Sequence, residues 1–486
     1  MFHKIQLATF LFGGFVLQWL VADECPVKEC YCGTVSILCE SKGLTSLPPE
    51  LATLKLNQTS LILDSNQITT IPARGLPANL TELSLQDNPI IIVEDTAFDA
   101  SAFTLTTLSF SQARFTRIPD AFLHLQALTH LTIYETPITD WNLNAMKNIG
   151  TTLQQFYLTQ NGLKTWPDCT QYFSQLTDLS VTSTSIDTIP DNALTNMASS
   201  LKNLYLLNNS LTAVPKALSN LTALEMLFLD QNKIVDITSL PTTSKLHTLV
   251  LDTNKISDAN MVGSVLSRYA ESFTTFSIEN NKLTAMPNLA VLKKATEFYF
   301  TNNRISDPFS GSLPLNTYLV VFQNNILTAI PRNILNLESV TSLLLTSNII
   351  RAIRADEIPQ WVQLIYLDNN LITQITDSSF PVNSSLINLS LDFNPVSEIS
   401  ASAFQNVPLL SEISMQGSKL TRLPLALTSL SNLNSIDFSQ SMNLVCTCVE
   451  KSFGPWLSRL EENDVIGNCG EISIYFFFVT LSPSCS

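Results

Sequence analysis

Carboxylates return in pairs through the middle of this chain, 18 to 24 residues apart: Asp230 and Asp252, Glu279 and Glu297, Asp368 and Asp392. Carboxylates held about 5 Å apart, the separation of neighbouring strands, can bind Ca²⁺ or divide the acid and base roles of a hydrolase. The remaining inventory is thin. Beyond residue 22 only His124, His130 and His247 occur, and none has a His or Cys neighbour at metal-ligand spacing. H-E-x-x-H, P-loop and G-x-S-x-G motifs are absent. What the carboxylates can do therefore depends on the elements that carry them.

Those elements repeat. The frame L-x-x-L-x-L-x-x-N-x-L fits Leu80-Leu83-Leu85-Asn88-Ile90, Leu224-Leu227-Leu229-Asn232-Ile234 and Leu386-Leu389-Leu391-Asn394-Val396. Asparagine anchors recur at 66, 88, 161, 209, 232, 254, 281, 303, 325, 348, 370 and 394, and weaker copies place Ala113, Thr136, Thr184, Ser418 and Ser441 there, making seventeen repeats spaced by 22 to 27 residues. Frame positions four and six point to one side of a short strand because side chains alternate along extended backbone. One strand cannot bury that face alone, so successive copies must stack into a parallel sheet. Ile71, Ile118, Ile189, Val214, Ile330 and Leu423 seal its inner side, each followed by a proline where the chain has left the sheet. The asparagine amides carry donors and an acceptor for the backbone of the tight turns, a structural task. The ladder is weakest at Ala113, Thr136 and Thr184, so the early repeats should be the least rigid.

Residues 1–22 combine Lys4 with an apolar run ending on Ala22, the pattern of a secretory signal peptide. Eight of nine cysteines form two groups at the ends of the repeats: Cys25, Cys30, Cys32 and Cys39, then Cys446, Cys448, Cys469 and Cys485. An oxidising compartment turns such groups into disulfide-stapled covers for the open ends of a stack, with three pairings open to each group. Ile472 to Leu481 is too short to span a bilayer and reads as a buried cap strand, and Cys485-Ser486 offers no lipid-anchor tail. Cys169 is the odd cysteine. It reads as a buried free thiol in a monomer, the alternative being an interchain disulfide in a dimer.

The period, with C-P-x3-C-x-C-x6-C before the repeats and C-x-C-x7-W with Trp456 after them, resembles the extracellular leucine-rich repeat family with cysteine-rich flanking caps, which includes Slit-like proteins and variable lymphocyte receptors. The resemblance implies an α/β solenoid, a curved horseshoe with a concave parallel sheet, divided into a signal peptide (1–22), an N-terminal cap (23–48), repeats (49–440) and a C-terminal cap (441–486). It also implies the bridges Cys25–Cys32, Cys30–Cys39, Cys446–Cys469 and Cys448–Cys485, and recognition of protein or glycan without catalysis. Ser441-Met442-Asn443-Leu444 departs from the Asn-Pro-Trp common in such caps.

The net charge of −15 argues against nucleic acid and anionic membrane as partners. Frame positions three, five, seven and eight face the concave surface or its rim and hold thirteen carboxylates but no Lys or Arg. Tyrosines and Phe228 are interleaved, the composition of binding hot spots; the structural alternative is that these rings merely pad adjacent strands. Six N-x-S/T sequons, at Asn57, Asn79, Asn208, Asn220, Asn383 and Asn388, point to surface glycans. Glycans on Asn208 and Asn388 would project over the concave face, which leaves the coils anchored from Asn232 to Asn370 clear. The expected ligand surface is therefore Phe228, Asp230, Asp252, Glu279, Glu297, Tyr299, Tyr366 and Asp368, suited to a basic or hydroxyl-rich extracellular partner. An open sheet gives neither a coordination cage nor a dry cleft, so no catalytic residue, metal or cofactor is expected. The alternative function is a structural component of an extracellular matrix, coat or secretion.

Overall fold

Seventeen parallel strands, from Ser60–Ile62 to Ser435–Asp437, lie side by side in chain order, one per repeat. The computed structural model describes residues 25–54, 59–160, 162–242 and 245–484; the signal-peptide expectation lies outside them. The sheet continues at the N-terminal end into Ser36–Leu38, which pairs antiparallel with Tyr31–Cys32, and at the C-terminal end into Val465–Ile466. Register is kept throughout the middle, with Leu227 beside Leu249, then Phe276, Phe298, Val320, Leu343, Ile365 and Leu389. These residues are buried, while most of their described strand neighbours are half-exposed, Val321 being a buried exception, so the period of two separates the core from the concave face.

Each described anchor asparagine stitches two coils. Asn303 donates from Nδ2 to the carbonyls of Ile278 (3.0 Å) and Phe300 (3.2 Å), and its Oδ1 accepts from the Leu283 N–H (3.0 Å). The residue before the anchor bends the chain inward with left-handed φ, from Ser65 (56°) to Gln440 (59°). Each coil then returns over the convex side. A proline such as Pro215 or Pro331 supplies fixed φ and needs no hydrogen bond from nitrogen, starting the short helical turns Lys216–Asn220 and Arg332–Asn336. Longer repeats absorb their extra residues there as true helices, Leu143–Ile149 and Ala259–Leu266, the second N-capped by the Asp258 carboxylate.

The weak ladder stretch has its own remedy. Through the stretch that holds Ala113, Thr136 and Thr184 the strands lengthen to five residues, at Thr107–Ser111, His130–Tyr134, Asp178–Thr182 and also Gln155–Thr159 in the coil of Asn161, against three in most later coils. The longer strands add backbone pairing between these coils, whereas the coils of Ser418 and Ser441, also without asparagine, keep strands of three residues. In the fifth coil Gln160 is buried and donates to the Ile138 carbonyl (3.3 Å); Asn161 lies outside the described residues.

Disulfides join Cys25 to Cys32, Cys30 to Cys39 and Cys446 to Cys469. Cys448 is also disulfide-bonded, and Cys485 lies outside the described residues. Cys169 is a free thiol, fully buried, and burial, with the nearby Asp168 charge, pushes its pKa well above the ordinary value. The segment Ile472–Leu481 is not a buried cap strand. Only Ile472–Ser473 pairs as strand, after which Phe476–Leu481 coils into a wide helical turn started by the Ser473 hydroxyl accepting from the Phe476 N–H (3.1 Å). Phe478 alone of that turn is fully inserted, against Phe453 (ring centroids 5.5 Å apart). Gly454 makes room, since a Cβ there would sit 2.7 Å from the Phe478 carbonyl oxygen.

Candidate functional site

Strand register sets two columns on the concave face. The first runs Phe228, Val250, Ser277, Tyr299, Val321, Leu344, Tyr366, Ser390. The second, two residues further along each strand, contains Asp230, Asp252, Glu279 and then Asp368. All eight residues of the expected ligand surface are half-buried on this one face. Register divides them into two groups: Phe228 to Tyr299 occupy four consecutive coils, while Tyr366 and Asp368 stand three coils further on, past Val321 and Leu344. At about 4.8 Å per strand the first and last aromatics are roughly 30 Å apart.

Several of the carboxylates have partners within the fold. Asp252 accepts from the Ser277 hydroxyl (2.7 Å) and the Glu279 N–H (2.8 Å), both in the next coil. Asp64 does the same with Ser84 (2.6 Å) and Gln86 (2.8 Å), Asp392 with Ser414 (2.5 Å) and Gln416 (2.8 Å), and Asp368 with Ser390 and the Asp392 N–H (3.0 Å). An Asp in one coil and a Ser two positions earlier in the frame of the next thus form a second ladder beside the asparagines. Sequence reading missed it, although the alternation Asp64/Ser84, Asp252/Ser277, Asp368/Ser390, Asp392/Ser414 was there to find. Burial pushes the Asp252 carboxyl up to about 6, with the charges of Glu279 and Asp230 adding to it against the lowering effect of its hydrogen bonds. Burial likewise raises Asp230.

Asp230 and Glu279 are different. Val250 rather than serine stands opposite Asp230, and among the described residues neither carboxylate has a hydrogen-bond partner on another residue. Asp230 and Glu279 flank Asp252, so the strip is anionic and open at both sides. Beside it Phe228 stacks on Tyr205, with centroids 5.0 Å apart and planes 12° from parallel. Glu297 accepts from the Tyr299 hydroxyl (2.5 Å) and from Tyr318 in the next coil. Burial and that carboxylate raise the Tyr299 pKa, so the phenol stays a donor. Tyr318 stands at frame position two, which the sequence frame did not assign to this face; its place one residue from Leu319, the register partner of Glu297, is the signal for it. Among the described residues, no concave carboxylate forms an ion pair with Lys or Arg.

Of the sequons, Asn79, Asn208, Asn220 and Asn383 are exposed, whereas Asn388 is half-buried on its strand with Nδ2 donating to Glu412 (2.6 Å). Asn57 lies outside the described residues. Also among the described residues, no cluster of three or more His, Cys, Asp or Glu suits a metal ion, and no helix is long and apolar enough to cross a membrane.

A leucine-rich repeat model matches residues 174–234 and 361–420, and a BspA-type leucine-rich repeat region model matches 55–169. Leucine-rich repeat-containing protein 3B of cattle, mouse and human is 35% identical over 126 residues, 24% of this chain and 47% of the relative. Mouse lumican is 26% identical over 215 residues, 43% of this chain and 62% of lumican. The chain thus spans about half to three fifths of these relatives' length. A Leptospira interrogans LRR protein superposes with a TM-score of 0.59 at 19% identity, covering 86% of this chain and 93% of the other. The plant peptide hormone receptor RGFR1 in complex with RGF2 gives 0.52 at 20% identity, covering 82% and 75%. Residues 55–169, 174–234 and 361–420 are leucine-rich repeats, and the fold is the leucine-rich repeat solenoid.

Proposed function

We propose that this chain is a secreted recognition glycoprotein that binds an extracellular protein or glycan through the concave sheet of the coils anchored from Asn232 to Asn370. One observation carries the reading. In a stretch free of sequons, half-exposed Phe228, Tyr299 and Tyr366 stand on a hydrogen-bonded sheet beside carboxylates that, among the described residues, form no ion pair with Lys or Arg. Aromatics on a pre-ordered surface supply contact area at low entropic cost. Asp230 and Glu279 supply attraction for a basic or hydroxyl-rich partner, chiefly in its encounter rate. The receptor complex among the structural neighbours, a peptide hormone receptor with its ligand, and the similarity to lumican support a ligand-binding, extracellular reading. Cys169, buried on all sides, supports a monomer. The test is an array of extracellular proteins and glycans probed with the parent and with Tyr299→Ala/Tyr366→Ala. Ligands lost by the double variant and weakened by salt support the proposal; ligands kept by the variant at every salt concentration overturn it. A structural role in a matrix or coat would show instead as self-association without selective ligands.

A further inference from the structure

The residue directly after each anchor asparagine lies on the rim where the chain leaves the sheet. In seven consecutive coils these residues are Lys233, Lys255, Lys282, Arg304, Ile326, Ile349 and Leu371. Their backbones form an unbroken ladder: each N–H donates to a carbonyl of the preceding coil, from Lys233 to Leu211 (2.9 Å), through Lys282 to Ile256 (2.8 Å) and Ile326 to Ile305 (3.1 Å), to Leu371 to Ile350 (2.8 Å). The two residues before each have the same local turn, with φ between 53° and 58° ahead of each anchor. The seven side chains therefore project from equivalent places, one coil apart.

All four cations are exposed. Among the described residues none forms an ion pair; Lys233 has only the Ser210 hydroxyl at 3.2 Å. The acids that follow in the same loops are turned to their own backbone. Asp236 accepts from the Thr238 N–H (2.8 Å), Asp258 from Asn260 (2.9 Å) and Met261 (3.0 Å), and Asp307 from Phe309 (2.9 Å). The three aliphatics remain 45%, 37% and 37% exposed. In a chain of net charge −15, a run of four unpaired cations continued by three exposed aliphatics is a composite stripe with no task inside the fold. It also falls in the interval between Asn220 and Asn383 that has no sequon.

We infer that this rim is a second docking surface, and that its occupant is an amphipathic helix of a protein partner presenting carboxylates on about four successive turns and aliphatic side chains on the next three. Spacing selects the helix. Coils follow one another at about 4.8 Å, close to the 5.4 Å of one helical turn, so one side chain per turn meets one per coil, and long Lys and Arg side chains absorb the drift. Extended peptide repeats its faces at about 6.6 Å and falls out of step within a few coils. A sulfated polysaccharide would use the cations and leave Ile326, Ile349 and Leu371 without a role. Single-stranded nucleic acid needs stacking aromatics, and no residue of the stripe is aromatic.

The surface is separate from the concave site, and its test is independent. The probe is a synthetic helix of about 25 residues, seven turns, with Glu on four turns and Leu on three along one face. A peptide of identical composition with scrambled order and a heparin fragment serve as comparisons. The striped peptide should bind at least about tenfold tighter than the scrambled one, steered by charge. Reversal of the row in K233E/K255E/K282E/R304E should abolish that preference, I326S/I349S/L371S should reduce it by about tenfold, and Tyr299→Ala/Tyr366→Ala should leave it intact. All seven side chains are exposed, so circular dichroism and melting should not change. Salt at about 1 M, where screening acts beyond about 3 Å, gives the charge contribution without mutation. Equal binding of striped and scrambled peptides, indifference to the fourfold reversal, or capture of heparin in preference to the peptide overturns the inference.

Discussion

Asp252 should oppose folding at neutral pH even while its hydrogen bonds organise the next coil. Its carboxyl is raised from an ordinary 3.8 to about 6, mainly by burial. A raised carboxylate pKa means the folded state favours the protonated form. Below pH of about 4 the group is protonated folded or unfolded and contributes nothing; the penalty grows between about 4 and 6 and is complete above about 6. A gap of about two pH units corresponds to about 3 kcal/mol, and screening at this partly exposed site reduces it to about 2 kcal/mol. Asp252→Asn removes the charge and keeps an oxygen able to accept from Ser277 and from the Glu279 N–H. The variant should therefore be about 2 kcal/mol more stable than the parent at pH 7.5 and equal to it at pH 4, read by urea denaturation at both values. A variant less stable at pH 7.5, or a gain that persists unchanged at pH 4, refutes the reasoning and makes the charge itself necessary to the ladder.

Asn303→Ala leaves the Leu283 N–H unsatisfied, at about 1–3 kcal/mol, and takes one of two amide donors from the Ile278 and Phe300 carbonyls, which keep Asn281 and Asn325. Because each coil touches only its neighbours, hydrogen exchange should quicken in the coils anchored at Asn281, Asn303 and Asn325 and not at the ends. Cys32→Ser opens the Cys25–Cys32 bridge over the first coil and should cost about 2–5 kcal/mol, seen as retention in the secretory pathway; normal secretion with an unchanged melt contradicts it. Buried Cys169 should resist alkylation in the native protein and react once it is denatured, and non-reducing electrophoresis should show a monomer; a reducible dimer that Cys169→Ser abolishes contradicts this.

The solenoid was legible because its rule is local. Leu224, Leu227 and Leu229 announce a strand, Asn232 announces the turn, and the next copy repeats both, so strand order and register follow from counting. Contacts between coils were harder to read. Asp252 finds Ser277 in the following coil, and viewed as charges on a face these carboxylates looked free when seven of them, Asp64, Asp87, Asp178, Asp252, Glu297, Asp368 and Asp392, accept from hydroxyls or N–H groups of the next coil. Tyr318 was overlooked for the same reason, since its frame position gave no hint of the Glu297 carboxylate it reaches. The apolar run Ile472–Leu481 had no alternation to fix its state, and a single serine hydroxyl tipped it to a helical turn. The frame put the eight residues on one face of the sheet, but which of its acids are open to solvent contacts depended on hydrogen bonds that no frame displays.

The central claim, recognition on the concave face between Asn232 and Asn370, is met most directly by oxidative footprinting of the protein with and without a ligand taken from the array. The account predicts protection of Phe228, Tyr299 and Tyr366, with Tyr134 and the cap residue Phe476 unchanged. Protection confined to the caps or the convex turns, with Tyr299 and Tyr366 oxidised as fast as in the free protein, would contradict it.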